Sequence, residues 1–117
     1  MEKFNFENLK VYQEAILFID KIYEVTTGWP KEELFGLTNQ LRRAAVSIAL
    51  NIAEGTSRTK KDFRHFLDLS RGSIFECVAV LSIALNRKYI NQDQFTYFYA
   101  SCNKIARMTS KLKTSLN

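Results

Sequence analysis

TKKDFRHFLDLSRGSIFECVAVLSIALNR, residues 59–87, decides the fold. Within it Phe63, Leu67, Ser70, Ile74, Cys77, Leu81 and Ala84 recur at spacings of three and four, which places them on one face of an α-helix. No proline interrupts the run. Thr59, followed three residues on by Asp62, has the chemistry of an N-cap, an oxygen that accepts from a free backbone N–H of the first turn. The spacing predicts a helix over 60–87.

The same rhythm continues on both sides. After a short link at Lys88–Asn91, Phe95, Phe98, Cys102, Ile105, Thr109, Leu112 and Leu116 predict a helix over 92–115. Before it, Leu34, Leu37, Leu41, Ala44, Ile48 and Ile52 predict a helix over 31–55. Pro30 and the acidic Glu32 and Glu33 would open that helix, and Gly55 would close it. The first segment, 7–27, carries two apolar stripes side by side: Leu9, Tyr12, Ile16, Ile19, Tyr23, and Val11, Ala15, Phe18, Ile22, Val25. Gly28-Trp29-Pro30 ends it, with Gly28 suited to a left-handed cap. Four helices with short connections in one domain of 117 residues predict an all-α fold, an antiparallel up-down-up-down four-helix bundle. A long coiled coil is the competing arrangement. The Gly-Trp-Pro break and the polar corner at Gly55–Thr59 speak against it.

There is more apolar surface than one core requires. Two stripes on the first helix, Val46 and Leu50 opposite the core stripe of the second, and Phe66, Leu69, Val80 and Ile83 on the third would leave large patches uncovered. Such patches mark interfaces, so a homo-oligomer is expected. Between them runs a narrow polar seam, Arg43, Ser47, Asn51, Glu54 and Arg58 on the second helix, with Ser73 and Glu76 interrupting the apolar stripe of the third. Glu76 is expected to face protein and to take Arg43 or Arg58 as partner, since a buried carboxylate needs one. Paired carboxylates such as Glu54 and Glu76 could do acid–base chemistry or hold metals in a bundle. Yet the one histidine, His65, has no Glu three positions before it, and neither a Cys/His nucleophile pair nor a Gly-rich phosphate loop is visible. The seam reads as a structural network, with no catalytic residue, metal or cofactor.

The chain lacks an 18-residue apolar run, so no membrane span is expected. MEKFNFENLK has no signal-peptide character, which points to the cytoplasm. Cys77 and Cys102 fall on core stripes and read as reduced core residues.

Glu33-Leu34-Phe35-Gly36-Leu37-Thr38-Asn39-Gln40-Leu41-Arg42-Arg43-Ala44-Ala45-Val46-Ser47-Ile48, followed by Asn51-Ile52-Ala53-Glu54-Gly55, resembles the four-helix bundle proteins encoded in intervening sequences of 23S ribosomal RNA genes. Phe6, Leu9, Trp29-Pro30, Arg58, Asp62-Phe63, Phe66-Leu67, Gly72-Ser73 and Glu76 extend the resemblance over almost the whole chain. Ala49-Leu50 departs from it, since the family usually has Pro and a small residue there. The resemblance implies an antiparallel bundle assembling into a ring-shaped homopentamer. A related branch serves diversity-generating retroelements as an accessory protein, alongside a reverse transcriptase and nucleic acid. For this chain the resemblance implies a binding role, with association to ribosomal RNA resting on gene location.

The net charge of +5 is unevenly spread: residues 1–28 carry −2, residues 58–88 carry +4 and residues 89–117 carry +3. Arg58, Lys60, Lys61 and Arg64, beside His65, are the densest group; Arg71, Arg87 and Lys88 continue along the third helix. Lys104, Arg107, Lys111 and Lys113 are read as lying near the end of the fourth. In an up-down bundle the start of the third helix meets the end of the fourth. Arg58, Lys60, Lys61, Arg64, Lys104, Arg107 and Lys111 are therefore the expected RNA- or DNA-binding residues, acting through phosphates. No base-reading helix and no exposed aromatic ladder is legible. Two readings stay open: a nucleic-acid-binding oligomer, or a protein–protein adaptor whose basic face only keeps it soluble.

Overall fold

Two of the four helices begin at N-cap side chains that the sequence marks. In the computed structural model, which describes all 117 residues, Thr59 Oγ1 accepts from the Asp62 amide at 3.2 Å and starts the helix that follows. Asn91 and Gln94 form a reciprocal capping box: Asn91 Oδ1 accepts from the Gln94 amide at 2.8 Å, and Gln94 Oε1 from the Asn91 amide at 2.9 Å. The four helices are α1 (Lys10–Thr26), α2 (Leu37–Thr56), α3 (Lys60–Asn86) and α4 (Gln92–Ser115), with 3-10 turns at Asn5–Asn8 and Lys31–Glu33 and no strand. Lys88 takes a left-handed φ of 66° after α3. The amides of Lys88 and Tyr89 then reach back to the carbonyls of Leu85 and Ala84 at 3.0 and 2.8 Å, closing the helix end.

Three boundaries depart from the sequence reading. The second helix starts at Leu37 instead of residue 31, because Glu33 caps it from outside. Its Oε1 accepts from the Leu37 amide at 3.2 Å and its Oε2 from the Tyr89 hydroxyl at 2.8 Å. Residues Lys31–Glu33 are thereby held as a separate turn, and Leu34 leaves the predicted core stripe, 49% exposed. The first helix starts at Lys10, after Leu9 adopts an extended conformation. Gly28 does not take the left-handed cap, since no glycine has positive φ. The Trp29 amide instead bonds the Thr26 carbonyl at 3.1 Å and folds the indole into the core, against the Tyr89 ring at 5.6 Å. α2 runs unbroken through Ala49-Leu50, as expected for a helix without the family's proline.

The long-range bonds fix the direction of each helix. Arg42, at the start of α2, donates to Thr26 Oγ1 at the end of α1 (2.9 Å). Tyr89 after α3 meets Glu33 before α2. Arg64 at the start of α3 donates to the Asn117 side chain beyond α4 at 2.8 Å, and the Asn5 amide reaches the Thr56 carbonyl at 3.4 Å. Consecutive helices therefore run in opposite directions between two poles, one marked by Trp29 and the other by Asn117. The long dimension of 42 Å matches the ~40 Å expected of the 27-residue α3.

The core comprises Val11, Ala15, Phe18 and Ile22 of α1, Leu41, Ile48 and Ile52 of α2, Leu67, Ile74, Cys77 and Leu81 of α3, and Phe98, Cys102 and Ile105 of α4. Burying each large aliphatic side chain contributes roughly 1.5–3 kcal/mol. On α1 the second of the two stripes faces inward, while Ile16 and Tyr23 of the first are exposed. Val80, expected on an outer stripe, is buried. α2 and α3 share the most extensive contact and α1 and α4 the least. Small residues bring α2 and α3 together: Ser70 Oγ donates to the Ile48 carbonyl at 2.8 Å, and Gly55 lies so close to α3 that a Cβ there would sit 2.6 Å from Phe63 Cδ1.

Candidate nucleic-acid interface

The helix directions place the predicted basic residues. Lys60 and Lys61 open α3, exposed and without an acidic partner. Arg64, one turn on, is held against Asn117, which joins the start of α3 to the end of α4. Arg107 and Lys111 lie on the last turns of α4, exposed and also without an acidic partner. Arg58 precedes α3 and pairs with Glu54 at 3.5 Å, its guanidinium 5.3 Å from the Phe66 ring. Lys113 pairs with Asp68 at 2.7 Å, a surface contact between α4 and α3.

Lys104 is placed differently. It is eleven residues from the end of α4, about 16 Å along the axis, and pairs with Glu14 of α1 at 3.1 Å. It belongs to the middle of the α1–α4 side, so the expectation that it sits with Arg107 and Lys111 near the end of the fourth helix is not met: eleven residues of α4 follow it. Arg87 and Lys88 lie at the opposite pole, where Arg87 covers the Tyr89 ring at 5.8 Å. There the Tyr89 hydroxyl and the Leu37 amide hold the Glu33 carboxyl below the usual carboxylate range.

The polar seam lies along the outer side of the α2–α3 contact. Ser73 Oγ donates to Ser47 Oγ at 2.9 Å, and Asn51 Nδ2 bonds Ser47 Oγ and its carbonyl at 3.0 and 2.9 Å. The charged members do not join this network. Arg43 and Glu76 are exposed and unpaired within the chain, and Arg58 turns to Glu54. The expectation of a Glu76 carboxylate covered by protein and paired to Arg43 or Arg58 is not met in the single bundle. On the helix wheel Glu76 lies on the outward face of α3, close to Gly72 and Ile83. Nowhere do three His, Cys, Asp or Glu side chains come close enough to hold a metal ion. No helix is long and apolar enough to cross a membrane.

One feature escaped the sequence reading. Phe75 and Tyr99, 58% and 48% exposed, line one apolar groove of about 290 Å³ between α3 and α4. Arg71 stands over the Phe75 ring at 4.8 Å. Phe75 is adjacent to the core residue Ile74, and spacing alone shows no reason why its ring should face an open groove.

Residues 7–111 match the family model described as 23S rRNA-intervening sequence protein. No curated protein matches the chain. Among solved structures it is similar to a protein with unknown function from the S23 ribosomal protein family of Bacteroides thetaiotaomicron. The TM-score is 0.82 at 20% identity, covering 89% of this chain and 95% of that one. At that identity the likeness speaks for the fold.

Proposed function

This chain belongs to the 23S rRNA-intervening sequence protein family, and from that premise we propose that it is a non-enzymatic, cytoplasmic bundle protein that assembles into a homopentameric ring and binds RNA or DNA at its Asn117 pole. The observation that carries the nucleic-acid reading is the Arg64–Asn117 bond, which brings Lys60 and Lys61 to the helix end bearing Arg107 and Lys111. A ring would repeat this pole once per subunit, and phosphate contacts from repeated cations add affinity without sequence preference. The exposed pair Arg58–Glu54 is weak in water, so Arg58 can exchange a carboxylate for a phosphate. Self-assembly draws support from Leu50, Leu69 and Ile83, 63%, 43% and 49% exposed, which flank the Ser47–Ser73 seam.

Light scattering on micromolar protein should give a multiple of the subunit mass, and a monomer mass refutes the assembly. Reversing Lys60, Lys61 and Arg64 to Glu should leave that mass unchanged and abolish an RNA or DNA gel shift at low salt. Each phosphate contact removed should flatten the dependence of log K on log salt by roughly 0.7–0.9. A triple variant that binds as well as the parent refutes the basic-pole reading. The adaptor reading then takes its place, favoured by Phe35, 91% exposed beside Leu34 at the Trp29 pole, as an anchor for another polypeptide.

A further inference from the structure

We propose that the α3–α4 groove is a stacking site for an unpaired base, so that the preferred ligand is single-stranded nucleic acid whose backbone runs from the Asn117 pole up the α3–α4 side. This rests on the nucleic-acid reading above and names its substrate class. Along α3, Lys60, Arg64, Arg71 and Phe75 follow spacings of four, seven and four, which keeps them on the side of the helix that faces α4. Arg64 and Arg71 are two turns apart, about 10 Å, and Phe75 is one turn further. The one acid in this row, Asp68, is already neutralised by Lys113 at 2.7 Å. On the facing side of α4, Tyr99, Asn103, Ala106 and Ser110 include no acid. A track of positive charge therefore leads into an apolar, aromatic-walled groove.

The groove suits a base better than a phosphate or a duplex. At about 290 Å³ it is near the lower end of small-ligand sites, a size that accommodates a planar ring. Phe75 and Tyr99 offer aromatic surface, and the Arg71 guanidinium, over the Phe75 ring at 4.8 Å, carries the charge a neighbouring phosphate needs. Asn103 at the groove edge can both donate to and accept from a base edge. A base paired inside a duplex cannot reach such a slot, whereas unpaired bases are held in this way by aromatic side chains beside a cationic groove. A second copy of the chain is the competing occupant of an apolar groove. The cationic row of Lys60, Arg64 and Arg71 beside it favours the polyanion.

Fluorescence anisotropy with a labelled short oligouridylate and with a duplex of the same length tests this on the full chain. The parent should bind the single strand more tightly than the duplex. Phe75→Ala and Tyr99→Ala should each lower single-strand affinity roughly five- to a hundredfold and leave duplex binding and the salt slope unchanged. Phe75→Tyr, which keeps a ring, should restore most of it, separating stacking from a folding defect. Equal affinity of Phe75→Ala and parent, while the Lys60/Lys61/Arg64 reversal still abolishes binding, overturns the groove and leaves the basic pole standing. A change of assembly mass in Phe75→Ala, with binding unaltered, assigns the groove to a second copy and overturns the inference. Failure of the parent to bind either probe overturns both.

Discussion

Two glycines in the same bundle should respond with opposite signs to the same substitution. A Cβ on Gly55 would lie 2.6 Å from Phe63 Cδ1, 3.0 Å from Phe66 Cβ and 3.1 Å from Phe63 Cε1. Carbon atoms in good contact sit about 3.5–4.0 Å apart, so the Phe63 ring must retreat by about 1 Å. Phe66 Cβ is fixed to the α3 backbone, and relief there requires α3 itself to move off α2. Overpacking of this kind costs about 1–3 kcal/mol, and the better helix propensity of Ala returns up to about 1. Gly55→Ala should therefore destabilise by about 1–2 kcal/mol. Gly72 lies inside α3, exposed, with nothing within 4 Å of its would-be Cβ. Within the single bundle Gly72→Ala meets only the propensity term and should stabilise it by about 0.5–1 kcal/mol. For a domain of this size about 1 kcal/mol moves the melting temperature by about 4 °C. Thermal melts followed by far-ultraviolet circular dichroism, at one subunit concentration because assembly shifts the midpoint, should show Gly55→Ala about 4–8 °C below the parent and Gly72→Ala about 2–4 °C above it. A Gly55→Ala protein that melts at or above the parent would show that the α2–α3 approach at this corner tolerates a methyl group.

Removing the Tyr89 hydroxyl in Tyr89→Phe should lower the melting temperature at neutral pH, because it takes away the main group that depresses the Glu33 carboxyl. A depressed folded-state pKa gives stability that is present above the unfolded-state value and lost as pH falls through the folded one. The gap between parent and variant should therefore close on acidification below the carboxylate range, and a gap constant with pH would refute the linkage. Burial pushes both cysteine thiols up, Cys102 to about 12, so Ellman's reagent should label the folded protein only slowly and both thiols readily in denaturant. Fast labelling of two thiols in the native protein would contradict the packing. Glu76→Ala should change the stability of dilute protein by less than about 0.5 kcal/mol, as for other exposed sites. A loss of about 1–3 kcal/mol in urea titrations would reveal a buried partner for this carboxylate.

The helical class, the four segments and the faces of α3 and α4 were legible in the sequence. Leu67, Ser70, Ile74, Cys77, Leu81 and Ala84, and Phe98, Cys102, Ile105 and Thr109, are buried as their spacing requires. On these helices one stripe is clearly the most apolar, and burying any other face would cost more. The meeting of Lys60, Lys61 and Arg64 with the end of α4 was legible too, because short connections leave antiparallel neighbours as the natural packing. Tertiary structure alone decided the rest. α1 has two adjacent stripes of nearly equal hydrophobicity, and only the shape of its neighbours selects Val11, Ala15, Phe18 and Ile22 over Ile16 and Tyr23. The start of α2 depends on Tyr89, 56 residues away, holding the Glu33 carboxylate that caps Leu37. The outward Glu76 and the open Phe75–Tyr99 groove depend on which sides of α3 the neighbouring helices leave uncovered. Periodicity specifies the direction in which a side chain leaves its own helix; whether it meets protein or solvent is set by where the other helices pack.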